Sequence, residues 1–290
     1  MADQVSGQPN GSGSEPPLYA PESGASLFVK LFIVPAGIVA VALGIFLLGT
    51  LALQHPKTAE QYLQELKSDS TSKRWQAAFE LSRMLSQGEK IQFDENLRGQ
   101  LVQTFAEAKK DDPRIREYLA LVLGNLKEKT AVAVLAEAVH DESNDVKVYS
   151  LWALGNIEDP AGGPAALEGM ADPDLGVQRM AVGAVSSLKY APAKFALEKN
   201  LVSSSTGLRY DSAVALARLK DEKAVPTLLE MLALRAEGKP GEEMIPSAKL
   251  AAIEGAKELN DAGLRASVAA LAKNDPDPKV QDAAIKFLKK

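Results

Sequence analysis

The chain has no cysteine, and only His55 and His140 of its 290 residues are histidine. Disulfides, thiolate chemistry and Cys-based zinc sites are therefore excluded, and a multi-histidine metal site is not expected. Aromatic residues make up only 6% of a chain that is 46% hydrophobic, so the core must be built from Ala, Leu and Val. There is no Gly-rich phosphate loop, no nucleophile elbow and no HExxH. Carboxylate pairs such as Asp111-Asp112 and Glu242-Glu243 fall in turns or in an insertion, where solvated acids are the ordinary reading. These absences predict a non-enzyme that uses no cofactor and no metal.

Positive charge is not in excess either: the net charge is −5. Residues 1–53 carry Lys30 against Asp3, Glu15 and Glu22, which leaves 32 basic and 35 acidic residues for the remainder. Nucleic-acid affinity rests on Lys and Arg neutralising phosphates, so a mildly acidic chain predicts no nucleic-acid partner.

Residues 1–26 are rich in Gly, Ser, Pro, Asn and Gln. They cannot bury enough apolar surface to offset the entropy of ordering, and a disordered polar tail is expected. The longest stretch without charge comes next. Residues 31–53, LFIVPAGIVAVALGIFLLGTLAL, hold 23 consecutive uncharged positions. A bilayer-spanning helix needs roughly 20. Residues 27–54 are therefore expected to form a single-pass membrane helix, with Lys30 and Lys57 reaching the headgroups and Pro35 in its first turn. A cleaved signal peptide fits less well, because the leading tail is long and acidic and no A-x-A site follows. Ala36, Ala40 and Gly44 share one helix face at spacing four, where small residues admit a second membrane helix. Lys57, Lys67, Lys73 and Arg74 put more basic residues on the C-terminal flank, which predicts that flank in the cytoplasm.

Beyond residue 55 the chain repeats. The segment 145–157, DVKVYSLWALGNI, is preceded by RIREYLALVLGNL at 114–126 and followed by GVQRMAVGAVSSL at 176–188. Ile115, Val146, Val177 and Leu208 form one column at a constant step of 31 residues, and Leu126, Ile157, Leu188 and Leu219 keep the same step. A fixed period of this size marks a solenoid, whose units bury their apolar faces on one another. The pattern predicts an all-α solenoid of about seven helix pairs over 55–290. Helices are expected at 58–67 and 72–87, 96–109 and 113–126, 129–140 and 143–157, and 163–171 and 174–188. Three further pairs fall at 191–202 and 206–219, 223–234 and 245–259, and 262–273 and 279–288. A polar insertion at 235–244 should loop out of the sixth pair.

The phrases Val146-x-x-Tyr149-x-x-x-Ala153-Leu154-Gly155-Asn156-Ile157 and Ile115-x-x-Tyr118-x-x-x-Val122-Leu123-Gly124-Asn125-Leu126 resemble HEAT-like repeats. They look closest to the short bacterial repeats named after phycobilisome bilin lyases, and Asp277-Pro278-Lys279-Val280 has the same look. The resemblance covers about residues 58–290 and is specific for fold. It implies a scaffold or adaptor more often than an enzyme, and nothing in the chain marks a bilin site.

On a helical wheel, Val146, Tyr149, Ser150, Ala153, Leu154 and Ile157 form the expected core side of 145–157, with Val148, Leu151 and Trp152 opposite. In arrays of the resembled kind the second helices line the concave side. That implies a groove floored by Leu121, Trp152 and Val214, with Glu117, Arg179 and Tyr210 as its polar rim. An amphipathic helix or extended peptide would suit it. The competing reading is that these residues pack sideways against neighbouring repeats. Arg114, Arg116, Lys147, Arg179, Arg209 and Lys279 recur near the starts of second helices, with Asp112, Asp145, Asp174 and Asp211 nearby. An Asp–Arg ladder is expected there, rather than a stripe for acidic ligands. The functional expectation is a membrane-anchored scaffold that binds a protein partner, such as a membrane complex, through the concave face and meets the bilayer through residues 31–53. The alternative is an accessory subunit recruited through its membrane helix.

Overall fold

The computed structural model describes residue 25 and residues 28–53, 57–88, 92–236 and 242–289. The expected polar tail lies outside the described residues except at residue 25, and so does the middle of the 235–244 insertion. The chain divides into two units, Met1–Pro56 and Lys57–Lys290.

The first unit contains one long helix, α1 (Val34–Leu53), entered through a π-helical turn at Val29–Ile33. Pro35 is the second residue of α1, near the helix start as expected, but a π-helical turn precedes it. Proline has no N–H, and its ring clashes with the carbonyl four residues back. The chain widens just before it, and the Val34 N–H donates to the Val29 carbonyl five residues back. Wider turns of this kind accommodate such interruptions inside helices. The span Val29–Leu48 is long and apolar enough to cross a membrane, and none of it is buried within the structure.

The second unit is a run of seven helix pairs. They are α2 (Ala59–Leu66) with α3 (Thr71–Ser86), α4 (Glu95–Glu107) with α5 (Pro113–Asn125), and α6 (Val132–Glu137) with α7 (Asn144–Ile157). Then come α8 (Gly163–Gly169) with α9 (Leu175–Ser187), α10 (Lys194–Asn200) with α11 (Thr206–Arg218), α12 (Val225–Ala233) with α13 (Ile245–Ala256), and α14 (Ala262–Asn274) with α15 (Pro278–Leu288). No strand occurs among the described residues.

The 31-residue period is written into the turns as well as the core. Asp112, Ser143, Asp174 and Ser205 each cap a second helix by accepting a backbone N–H of its first turn. Lys127, Glu158, Lys189 and Lys220 follow those helices in the left-handed region, at φ 49°, 60°, 49° and 56°. The chain then reverses. The Glu128, Tyr190 and Asp221 N–H groups donate to carbonyls five residues back, the wrap that ends many helices. A 3₁₀ turn follows each reversal, at Lys129–Ala131, Pro160–Gly162, Ala191–Ala193 and Glu222–Ala224.

Second helices stack on one another in an unbroken row from α3 to α15, whereas the first helices of the central pairs meet sparingly. Glycine permits the closest approach in that row. A Cβ on Gly124 would lie 2.6 Å from the Trp152 ring and 2.9 Å from the Ala153 Cα, and one on Gly155 would lie 3.1 Å from the Ala184 Cα. This is the physical content of the repeated Leu-Gly-Asn. The core runs through the stack: Ile115, Val146 and Val177 are fully buried, as are Leu119, Leu123 and Leu154.

Candidate functional site

The second helices expose one face. On α5 it carries Glu117, Tyr118 and Leu121, on α7 Val148, Tyr149 and Trp152, and on α9 Arg179, Met180 and Gly183. On α11 it carries Tyr210, Asp211 and Val214. Leu121, Trp152 and Val214 are half-buried, and Trp152 and Val214 pack against the core. Glu117 and Tyr210 are half-buried and Arg179 is exposed. The six residues expected in a groove thus share one face of three stacked helices and the next. The structure places Glu117 one turn from Leu121 on α5, and Tyr210 one turn from Val214 on α11.

The wheel placed one residue on the wrong side: Leu151, expected opposite the core, is completely buried. Tyr149 packs against the core as expected but stays half-buried. A second helix is covered by its own first helix and also by the next repeat. A Cβ on Gly169 in α8 would meet the Leu151 side chain at 3.2 Å. Sideways packing therefore describes the column Ala120, Leu151, Val182 and Ala213, all buried. It describes Trp152 in part, since that ring packs against Gly124 of α5, while Leu121, Trp152 and Val214 all stay half-exposed.

The face extends further than sequence reasoning took it. Phe79 on α3 is 37% exposed and meets Tyr118 edge-on, with ring centroids 5.2 Å apart. The Arg114 guanidinium lies 4.3 Å from the Trp75 ring centre. Both tryptophans of the chain and four further large side chains (Phe79, Tyr118, Leu121 and Tyr149) thus lie on one face of α3, α5 and α7. The step of 31 from Tyr118 to Tyr149 was a signal available in the sequence. Trp75 and Phe79 sit out of register, because the connection between the first two pairs is longer. Between Trp152 and Gly183 the face dips into a hollow of about 220 Å³, bordered by Asn156, Met180 and Ser187. A Cβ on Gly183 would meet nothing within 4 Å.

Most charges near this face are paired. Arg114 donates to Asp112 at 2.6 and 2.9 Å, and Arg179 to Asp211 at 2.6 Å. The Tyr210 hydroxyl donates to Glu230 at 2.9 Å. Burial, together with that hydrogen bond and the charge of Glu230, pushes the Tyr210 pKa up to about 12. Glu117 is held above the ordinary carboxylate range, first by burial and then by Asp145 and Asp112.

Behind the face runs the expected ladder, with partners the sequence reading did not name. Arg116 pairs with Asp141, Lys147 with Asp172 at 2.9 Å, and Lys249 with Asp275 at 2.6 Å. Each of these acids also accepts a backbone N–H two residues on, so it holds its turn and anchors the second helix at once. Lys249 and Asp275 border a cleft of about 790 Å³ beside α12, α13 and α14. Among the described residues no group of three or more His, Asp or Glu side chains is placed to hold a metal ion. On α1, Ala36 and Ala40 are exposed and Gly44 is half-exposed, with open space beyond its Cα.

Helix pairs of constant period, capped alike and stacked through their second helices, define an α-solenoid of the HEAT type. Residues 101–185 match the family model of HEAT repeats, and residues 208–233 match that of the PBS lyase HEAT-like repeat. The chain thus carries HEAT-like repeats in these two stretches and one long apolar helix near the N-terminus. No curated protein matches it. Among solved structures, the complex of CpcE and CpcF of phycocyanin lyase from Nostoc sp. PCC7120 is similar at 16% identity and a TM-score of 0.53, over 81% of this chain and 96% of that one. The Escherichia coli protein YibA is similar at 16% identity and a TM-score of 0.50, over 80% of this chain and 92% of that one. Likeness at this identity speaks for the fold alone.

Proposed function

We propose that this chain is a membrane-anchored docking protein and not an enzyme. In this reading α1 holds it in a bilayer, the solenoid lies on the cytoplasmic side, and the exposed face of the second helices binds a protein partner belonging to a membrane complex. The observation that carries the reading is the state of Trp152. It is wedged against Gly124 on one side and opens on a hollow on the other. A rigid aromatic that is already half-buried loses little side-chain entropy when a partner covers the rest, which is the profile of an interface anchor. HEAT-like solenoids present extended surfaces of this kind. The wholly exposed apolar span of α1 supports the anchor.

The test is in-cell photocrosslinking from position 152, with Leu121 and Val214 as companion sites and Glu137, an exposed first-helix residue, as control. A discrete protein adduct from the first three, absent from the control, is expected. Equal adducts from all four, or none from position 152 in a folded chain, would refute the reading. Since the chain lacks cysteine, a single cysteine at Glu242 tests the side of the membrane. An impermeant maleimide should label it only after the cells are opened.

A further inference from the structure

The charges left over on the docking face say what kind of segment fits it. Arg114 is taken up by Asp112 and lies over Trp75, Arg179 is held by Asp211, and Tyr210 is bonded to Glu230. Glu117 and Asp145 remain. Neither makes a side-chain hydrogen bond or an ion pair among the described residues. Asp145 lies in the first turn of α7, where the helix dipole favours it. Glu117 has no such support, because it lies inside α5 and is half-buried. Burial and then the two nearby aspartates raise its pKa, outweighing the opposing charge of Arg114. Tyr149 lies in the field of both acids and of Tyr118, so aromatic rings border the carboxylates. A cation there would meet carboxylates and ring faces together, which favours a guanidinium or ammonium group.

The second feature is the hollow beside Trp152. Trp152 follows Asp145 by seven residues on one helix, about 10 Å along its axis at 1.5 Å per residue. The hollow is bordered by Leu151, Met180 and the open side of Gly183, and it has room for one aliphatic or aromatic side chain.

Resting on the docking reading above, we infer that the partner is a polypeptide segment lying along α7. It presents an arginine or lysine to Glu117 and Asp145, and an apolar side chain about 10 Å away to the hollow between Trp152 and Gly183. In a polyproline II segment, which rises about 3.1 Å per residue with three residues per turn, that distance places the two side chains three residues apart on the same side. Charge complementarity selects the basic residue, and the hollow selects its apolar companion.

The experiment is a selection of short random peptides, displayed on phage, against the full chain in lipid nanodiscs. Enrichment of Arg or Lys three positions from Leu, Ile, Met or Phe is expected. The best peptide should bind the Glu117→Gln, Asp145→Asn double variant at least fivefold more weakly. The same peptide with norleucine for its basic residue should bind both proteins equally. Trp152→Ala should remove the apolar preference, and Trp152→Phe serves if the alanine variant melts early. Peptides that depend on Trp152 but show no basic preference would overturn this proposal and leave the docking face standing. Peptides indifferent to both sets of substitutions, or no enrichment at all, would overturn both.

Discussion

Replacing Gly124 with alanine should weaken the solenoid, while the same change at Gly183, on α9 two second helices further along, should strengthen it. Alanine is better than glycine inside a helix by about 1 kcal/mol, so propensity alone favours both substitutions. At Gly183 nothing opposes the gain, because a Cβ there would meet no atom within 4 Å. At Gly124 the Cβ would lie 2.6 Å from the Trp152 ring and 2.9 Å from the Ala153 Cα, whereas carbon pairs settle at about 3.5–4.0 Å. The ring can tilt. The Cα can retreat only if α7 itself moves by about 0.6 Å or more. Overpacking of this kind costs about 1–3 kcal/mol, and a backbone contact belongs at the upper end. The net change for Gly124→Ala is then about 2 kcal/mol of lost stability, against about 1 kcal/mol gained for Gly183→Ala. For a solenoid of this length, melting should fall by roughly 4–8 °C in the first and rise by roughly 2–4 °C in the second. Thermal unfolding of the full chain in detergent, followed by circular dichroism, measures both. Shifts of the same sign would refute the claim that glycine in the Leu-Gly-Asn phrase serves close helix stacking.

Other expectations follow from the turns, the ladder and the titrating groups. Lys220→Gly should raise stability by about 0.5–1 kcal/mol, because the left-handed backbone there strains any side chain; a lower unfolding midpoint in urea would count against it. Lys249→Met strands the buried Asp275 carboxylate and should cost about 3–5 kcal/mol. Adding Asp275→Asn, which keeps an acceptor for the Asp277 N–H, should recover most of that loss in the same urea titration. The raised Tyr210 pKa means that the fold favours the neutral phenol. Its contribution is complete below the ordinary value of 10.0 and is lost as pH rises through about 12. The tyrosinate absorbance missing from Tyr210→Phe should therefore titrate near that upper value, and a midpoint near the ordinary one would refute the burial and the Glu230 contact.

The period of 31, the number of helix pairs and the buried column from Ile115 to Leu208 were legible in the sequence, because one apolar residue recurs wherever a second helix turns inward. The ladder was legible in two of its basic members, Arg116 and Lys147, and not in Lys249. Its acids were not: Asp141, Asp172 and Asp275 lie in the turn that precedes the second helix of the next repeat, and only folding brings them together with Arg116, Lys147 and Lys249. The exposed face of the second helices was read in part. Leu121, Trp152 and Val214 stood out on the wheel, but a wheel knows one helix at a time. It could not see that α8 covers Leu151 and leaves Tyr149 open, nor that Phe79 and Tyr118 meet across a connection of irregular length. Pro35 marked the start of the α-helix, but nothing in the composition announces the π-helical turn before it.

The unequal packing of the two helix rows has a mechanical consequence. The second helices form a continuous column with glycine-set contacts, which resists both stretching and compression. The central first helices touch so little that they can fan apart or close up about that column at small energetic expense. The solenoid should therefore behave as a leaf spring with a stiff spine. Bending it would change the spacing of the outer row, while the side chains of Glu117, Tyr149 and Trp152 keep their mutual distances. A protein with such a spine could follow the movements of a large partner without loosening its hold on it.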